Sequence, residues 1–156
     1  MPRSLRASVE PHYIDGNGHM NVAWYVHLFD RASWSFIAGF GLDEVSLRAS
    51  NAGLFAVEQH LHYLSELHEG DALEVHTRLV DVGRKSLRLS HVMTDPKRGV
   101  VAATADLVGL HIDWTTRKTR PFPDQLRQRL AAEVESHFGR GLIEEAVARA
   151  AAARGG

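Results

Sequence analysis

The chain has 156 residues, 18 Lys and Arg against 19 Asp and Glu, and no cysteine. This length argues for one domain with a sizeable hydrophobic core, and a formal charge of −1 excludes the broad basic surface that nucleic-acid binding needs. The missing cysteines exclude disulfides, thiolate zinc sites and a cysteine nucleophile. Because there is no signal-peptide core and no apolar run near the ~18 residues of a membrane span, we expect a cytoplasmic protein that binds neither nucleic acid nor membrane.

The first part of the chain predicts a short strand, an irregular loop and a long helix. Residues 5–9 are a candidate strand, and the loop that follows contains two glycines, an aspartate and two asparagines within seven residues. Apolar residues recur every three or four positions from residue 22 to residue 40, which is typical of a helix. Asn21 is its candidate N-cap, and Gly39 and Gly41 are candidate terminators. Since this helix is apolar nearly all round, we expect it to be buried.

After residue 53 apolar and polar residues alternate, as in strands with one face on a core. We predict strands over residues 55–63, 73–79, 86–94 and 100–113 in meander order, then an amphipathic helix over residues 125–137. Strands grouped in this way favour an α+β fold with an antiparallel sheet. One sheet covers only one side of the central helix, so a second subunit is the obvious cover for the other side.

The loop from Asp15 to Asn21, just before the predicted helix, is the best candidate for chemistry. Free amides at a helix N-terminus attract anions, and they can hold the oxyanion of acyl transfer, a contribution of about 3 kcal/mol. Gly16 and Gly18 would let a ligand approach the backbone closely. Asp15 would place a carboxylate near the carbonyl as nucleophile or general base. Loops of this composition are common as ordinary turns and helix caps, so composition alone favours a structural role for Asp15 and Asn21 over a catalytic one.

The sequence Asp15-Gly-Asn-Gly-His-Met-Asn21, running into Val-Ala-Trp-Tyr25, resembles the hotdog-fold acyl-CoA thioesterases of the 4-hydroxybenzoyl-CoA thioesterase-like family. The similarity covers roughly residues 5 to 135 and includes the segments Phe29-Asp-Arg-Ala32, Glu69-Gly-Asp71, Gly83-Arg-Lys-Ser-Leu87 and Pro121-Phe-Pro123. It implies a five-stranded antiparallel sheet wrapped around one long central helix, with two copies joined into a continuous sheet. It also implies hydrolysis of an acyl-CoA thioester to a carboxylic acid and free CoA, with no metal or redox cofactor.

The same resemblance implies roles for single residues. Asp15 becomes the catalytic carboxylate, and the thioester carbonyl points at the backbone amides near Val22 and Ala23. His19 and Asn21 then line the site, where they position water or Asp15. The alternative in which His19 is the base is chemically reasonable, because an imidazole titrates near neutrality.

The expected contacts with the rest of the substrate are more widely spread. Tyr25 and Phe29 are candidates for the acyl end. Phosphates of CoA suit arginine, and Arg outnumbers Lys by 15 to 3. The candidate basic groups are Arg84, Lys85 and Arg88 at one turn, with Ser86 beside them where a partner subunit would approach, and Arg117, Lys118 and Arg120 after the last strand.

The histidines and aromatic residues are predicted to be structural. His60 and His62 share a strand face, and His76, His91 and His111 lie on neighbouring strands, but none has a recognisable metal-ligand spacing. We therefore expect no metal and place these histidines on the outer face of the sheet or in subunit contacts. The larger aromatic residues of the helix region are expected in the core: Trp24, Trp34, Phe36 and Phe40.

The prediction is thus a thioesterase domain over residues 1–138, assembled as a homodimer or homotetramer, followed by an Ala- and Gly-rich extension over residues 139–156. Three other functions stay open on the sequence. They are a hydratase or dehydratase on the same fold, a non-catalytic acyl-CoA-binding protein, and an interaction module that docks a partner through the extension. The sequence does not indicate which acyl group is hydrolysed.

Overall fold

The computed structural model describes residues 1–137, so the predicted extension lies outside the described residues. In chain order the elements are β1 (Arg3–Ser8), a 3-10 turn (Pro11–Tyr13), α1 (Val22–Ala38), α2 (Glu44–Ala49), β2 (Ala52–Tyr63), β3 (Ala72–Val82), β4 (Ser86–Asp95), β5 (Val100–Asp113) and α3 (Asp124–His137). The predicted strands and both predicted helices are confirmed. The short helix α2 was not predicted; it begins at the cap Asp43, whose side chain accepts a hydrogen bond from the Ser46 amide.

The five strands form one antiparallel sheet in the order β1-β3-β4-β5-β2. The predicted meander is correct for β3, β4 and β5 but wrong for β2, which pairs with β5 and forms an edge of the sheet. The connection over residues 64–71 explains the difference. Its Leu67 is fully buried, and the Leu67 carbonyl accepts a hydrogen bond from the Met20 amide at 2.7 Å. The chain therefore passes by the start of α1 and reaches the opposite side of the sheet, where β3 begins beside β1.

Helix α1 lies against one face of the sheet. Its N-cap is Asn21, as predicted, and its buried residues are Tyr25, Leu28, Phe29, Ala32, Ser33 and Ile37. Three large apolar residues of α1 stay exposed: Val22, Val26 and Trp34, the last with 36% of its surface accessible. The expectation that Trp34 belongs to the core is therefore wrong for the single chain. A helix packed on one sheet buries only the stripe that faces it, and the other apolar residues stay at the surface.

The helix α3 completes the layer beyond the C-terminal end of α1. It packs against β3, and Leu130 joins a core cluster that also contains Ile37, Leu79 and Phe122. Arg129 donates a weak hydrogen bond to the carbonyl of Gly39, which ties α3 to the end of α1. A separate cluster lies under the first half of α1, the half that carries the candidate site.

The histidines divide between the two faces of the sheet. His60 and His62 are exposed on β2, with their rings stacked at 4.7 Å. His91 and His111 are only 0% and 2% exposed, so their predicted outer position is wrong. His91 shares the core face of β4 with leucines because its two ring nitrogens are satisfied there, by Thr77 Oγ1 at 2.9 Å and Ser33 Oγ at 3.1 Å.

Candidate active site

The loop before α1 is held in a fixed hairpin-like shape. Ile14 and Met20 form an isolated antiparallel bridge. Inside it the Asp15 amide donates to the His19 carbonyl at 3.2 Å, and the Gly18 amide donates to the Asp15 carbonyl at 3.0 Å. Gly18 has a φ of +81°, a conformation that glycine adopts without the steric cost of a Cβ. The loop therefore places the Asp15 side chain beside the first turn of α1.

The Asp15 carboxylate accepts one hydrogen bond at each oxygen. Asn21 Nδ2 donates to Oδ2 at 2.8 Å, and the Asn17 amide donates to Oδ1 at 2.8 Å. These two bonds, the one from Asn21 first, lower the pKa of Asp15 below its usual 3.8. Asp15 is therefore an ionised carboxylate at neutral pH, the form that a nucleophile or a general base needs.

Asn21 connects this carboxylate to the helix. While its amide nitrogen donates to Asp15, its Oδ1 accepts a hydrogen bond from the Ala23 amide at 3.0 Å. The Trp24 amide donates to the Asn21 carbonyl at 3.0 Å. Among residues 1–137 the Val22 amide has no acceptor. Of the two amides predicted for the oxyanion, only that of Val22 is available for a ligand.

A cavity of about 300 Å³ opens next to this helix end. It lies between the start of α1 and the segment that follows β2, and its lining residues are His19, Met20, Val22, Tyr25, Tyr63, Leu64, Ser65 and Glu66. The predicted site residues His19, Val22 and Tyr25 thus come together here. Asp15 and Asn21 do not line the cavity; they lie, bonded to each other, in the loop that adjoins it. Phe29 is not among the lining residues, since it is fully buried and its ring lies 5.6 Å from that of His91.

The cavity wall after β2 was not predicted from the sequence. Tyr63, Ser65 and Glu66 are more than 40 residues from Asp15 along the chain, and no motif marks them. They reach the site because β2 ends beside α1, where the amides of Leu64 and Ser65 donate to the Ala102 carbonyl at 2.8 and 3.1 Å. An exposed tyrosine at the end of a predicted strand was the one available signal.

Arg98, in the turn between β4 and β5, is hydrogen-bonded to this wall. Its Nη2 donates to the Glu66 carbonyl at 2.7 Å, and its Nε forms an ion pair with Asp95 at 2.5 Å. Burial alone would raise the pKa of Asp95, but hydrogen bonds from the Arg98 side chain and from nearby amides lower it. The hairpin turn and the cavity wall are therefore linked by one guanidinium group.

The predicted basic residues are far from the cavity of the same subunit. Along β5, Ser86 pairs with Leu110 and Tyr63 with Ala103, seven residues apart, which corresponds to about 23 Å. The turn that carries Arg84, Lys85, Ser86 and Arg88 therefore lies at the other end of the sheet. There it contacts the second predicted basic segment, since Lys85 Nζ donates to Thr119 Oγ1 at 3.4 Å. Two basic groups that are distant in sequence form one surface, called here the basic end.

No group of three histidine, aspartate or glutamate side chains within residues 1–137 is arranged to hold a metal ion. Nor does the described part of the chain contain a helix that combines the length and hydrophobicity of a bilayer span.

Comparison with known proteins agrees with this architecture. The family profile described as thioesterase-like superfamily matches residues 9–130. The chain belongs to the thioesterase-like superfamily. It is 34% identical to the betainyl-CoA thioesterase of Pseudomonas aeruginosa over 129 residues, which are 83% of this chain and 81% of that protein. It is 27% identical to the long-chain acyl-CoA thioesterase FadM of Escherichia coli over 131 residues, 81% of this chain and 96% of that one.

A solved structure has the same fold as this chain. A Staphylococcus aureus protein solved in complex with CoA superimposes with a TM-score of 0.80 at 28% identity, covering 86% of this chain and 85% of the other. The predicted hotdog architecture, a five-stranded antiparallel sheet with a central helix, is confirmed. The predicted enzyme class, a hydrolase of acyl-CoA thioesters, is confirmed as well.

Proposed function

We propose that this thioesterase uses Asp15 as its catalytic carboxylate and the Val22 amide as its main oxyanion donor. The observation that carries the proposal is the pairing of an ionised, doubly hydrogen-bonded Asp15 with an unoccupied amide at the start of α1, at the edge of one cavity. The helix dipole adds partial positive charge at this point, which favours negative charge on a carbonyl oxygen.

Two routes follow from this arrangement. If Asp15 attacks the thioester carbon, CoA leaves as the thiolate, and water then hydrolyses the mixed anhydride and restores the carboxylate. If Asp15 acts as a general base, it takes a proton from water while the resulting hydroxide attacks the carbonyl. The tetrahedral intermediate then expels the CoA thiolate, which recovers a proton. Asn21 orients Asp15 in both routes, and His19 lines the cavity beside the reacting centre.

The pH profile separates Asp15 from His19 as the essential base. Because hydrogen bonds lower the pKa of Asp15 below 3.8, the carboxylate stays ionised down to acid pH. We expect kcat/KM for thiol release to stay constant from about pH 8 down to about pH 5. Initial rates measured with a thiol-reactive dye, with protein integrity checked at each pH, test this. A one-proton acid limb near pH 6.5 would instead indicate a histidine base.

We further propose that two copies pair through the free edge of β2 to make one continuous sheet. The exposed apolar residues Phe55, Val57 and Tyr63 on β2 support this. Antiparallel pairing of two β2 edges would place the start of the partner's β2 near the cavity, and Phe55 lies in the same cross-strand row as Leu110 and Ser86. The basic end of the partner would then meet the phosphates of CoA, and each active site would need both subunits.

Substitution at the β2 edge tests this assembly. Val57→Asp places a charge on an apolar edge residue that is 56% exposed in the single chain, and we expect it to produce a monomer with little or no thioesterase activity. Val45→Asp, at a 78% exposed valine on α2, is the matched control and should keep both the assembly and the activity. Sedimentation and thiol release measured on the same samples decide the matter: a Val57→Asp monomer with wild-type specific activity would contradict a shared site.

For the acyl group we propose a small cationic group of the betainyl type, as in the name of the Pseudomonas aeruginosa relative, rather than a long chain as in that of the Escherichia coli relative. A cavity of about 300 Å³ suits a compact acyl group. Thiol release from a panel of betainyl, aromatic, short aliphatic and long-chain CoA esters tests this proposal, and preference for a long chain would exclude it.

The remaining expectations stay predictions. They are the cytoplasmic location, the activity without a cofactor, the choice between dimer and tetramer, and a domain of residues 1–138 that ends before the extension of residues 139–156.

A further inference from the structure

We propose that Glu66 is the residue that selects a positively charged acyl group, and that the rings of Tyr25 and Tyr63 form the aromatic part of the same subsite. The inference rests on the proposed function, because it concerns the acyl end of the same cavity. It assigns substrate specificity to a residue in the cavity wall after β2, a segment that contains no recognisable sequence motif.

The charge of the cavity lining favours a cation. The eight lining residues include one carboxylate, that of Glu66, and neither lysine nor arginine. The nearby loop adds the ionised Asp15. The Arg98 guanidinium adjoins the same wall, but it is paired with Asp95 and Asp71. A cationic acyl group is therefore attracted to this lining, a neutral group of the same shape gains nothing from it, and an anionic group is repelled.

The Glu66 carboxylate is less engaged within the protein than the Asp15 carboxylate. Both Asp15 oxygens accept hydrogen bonds at 2.8 Å. The Glu66 carboxylate has two imidazoles within 4.0 Å, with His68 Nε2 at 3.6 Å and His19 Nε2 at 4.0 Å. Both distances are too long for good hydrogen bonds, and the Glu66 side chain is 65% exposed. A quaternary ammonium can therefore approach this carboxylate without displacing a strong internal contact.

A pair of tyrosine rings also lines the cavity. Tyr25 and Tyr63 meet edge to face, with ring centroids 5.2 Å apart, and both line the cavity. Burial raises the pKa of Tyr25 to about 12, so its ring stays a neutral phenol in any practical assay. A trimethylammonium group has no N–H to donate, and aromatic faces together with one carboxylate are the surroundings that bind it well.

The main chain of the wall is anchored by hydrogen bonds although the Glu66 side chain is accessible. Arg98 Nη2 holds the Glu66 carbonyl at 2.7 Å, and the Ser65 amide is bonded to the Ala102 carbonyl at 3.1 Å. These contacts use only main-chain atoms of the wall. Glu66→Gln therefore removes the charge and leaves the anchoring bonds in place, which makes it a clean test.

The experiment compares two isosteric substrates, betainyl-CoA and tert-butylacetyl-CoA, which differ by a quaternary nitrogen in place of a quaternary carbon. The readout is the ratio of their kcat/KM values, measured by thiol release. For the wild-type protein we expect the ratio to favour betainyl-CoA by at least about tenfold, and Glu66→Gln should reduce it about tenfold. Glu69→Gln, which removes the same charge from an exposed position in the same connection, should leave the ratio unchanged.

A second pair of variants tests the aromatic part. Tyr63→Phe keeps the ring and should keep the ratio, whereas Tyr63→Leu should lower it severalfold. A wild-type ratio near one, or a ratio that Glu66→Gln does not change, overturns the inference while the thioesterase activity stands. Absence of thiol release from both esters and from the whole panel of CoA esters would instead overturn the proposed function.

Discussion

Asp15→Asn is expected to lower kcat for thiol release by about 10³-fold with little change in KM. The substitution removes the charge that makes the side chain a nucleophile or a base, and groups in such roles commonly contribute factors of 10² to 10⁴. Steady-state kinetics on the best CoA ester of the panel measures the effect. The chain contributes no thiol background to this assay, because it contains no cysteine.

A structural role for Asp15 needs its own control, since asparagine would also disturb the loop. The new Nδ2 group would face Asn21 Nδ2, donor against donor, and if Asn21 turned over it would lose its bond to the Ala23 amide. The double variant Asp15→Asn with Asn21→Asp restores both hydrogen bonds with the carboxylate moved to position 21. We expect this variant to regain the stability lost by Asp15→Asn but not the activity. Recovery of activity would mean that the position of the carboxylate is unimportant and would contradict its proposed role.

The buried His91 should make the fold sensitive to mild acid. Burial lowers the pKa of this imidazole from 6.5 to about 4 in the folded protein, whereas the unfolded chain titrates near 6.5. Below pH 6.5 the unfolded chain therefore binds a proton at His91, whereas the folded protein binds it only as the pH approaches 4. The contribution of His91 to the free energy of unfolding is fully present above pH 6.5 and is lost as the pH falls towards 4. Between pH 7.5 and pH 5 the free energy of unfolding should drop by about 2 kcal/mol from this group.

Urea unfolding at the two pH values, at one protein concentration, measures this drop. His91→Gln should be less stable at pH 7.5, but it should lose most of the difference between the two pH values. The remainder of the pH dependence comes from His111, because burial also lowers the pKa of that imidazole. His27→Gln is the control at an exposed histidine on α1, away from β2, and should keep the full drop. The carboxylates with lowered pKa values titrate below this window, so they do not mask the effect. An unchanged slope in His91→Gln would contradict the assignment.

What the sequence predicted about the site depends on distance along the chain. Asp15 and Asn21 are six residues apart, and their contact, the cap and the first helical turn all follow from local sequence. The wall at Tyr63 and Glu66 depends on where β2 lies in the sheet, and alternation of apolar residues sets a strand's faces but not its neighbours. For the same reason we predicted that β2 pairs with β3, whereas it pairs with β5.

His91 illustrates the opposite difficulty. It alternates in step with Leu87 and Leu89 on the core face of β4, whereas we predicted an outer position. A histidine in the core is acceptable only if hydrogen-bond partners exist on other elements. Thr77 and Ser33 supply them from β3 and α1, 14 and 58 residues away. Such compensation between distant segments is invisible in the local sequence.

Asn21 imposes an unusual restriction on which residues can occupy its position. Aspartate, serine and threonine are normally good substitutes at a helix N-cap. Here the same side chain must also donate an N–H to Asp15, which an aspartate cannot do. The shorter hydroxyl of serine or threonine would have to reach both Asp15 and the Ala23 amide at once. An aspartate would also set a second negative charge beside Asp15 and raise its pKa. A substitution that improves the helix cap would therefore weaken the carboxylate, so stability and activity cannot be improved independently at this position.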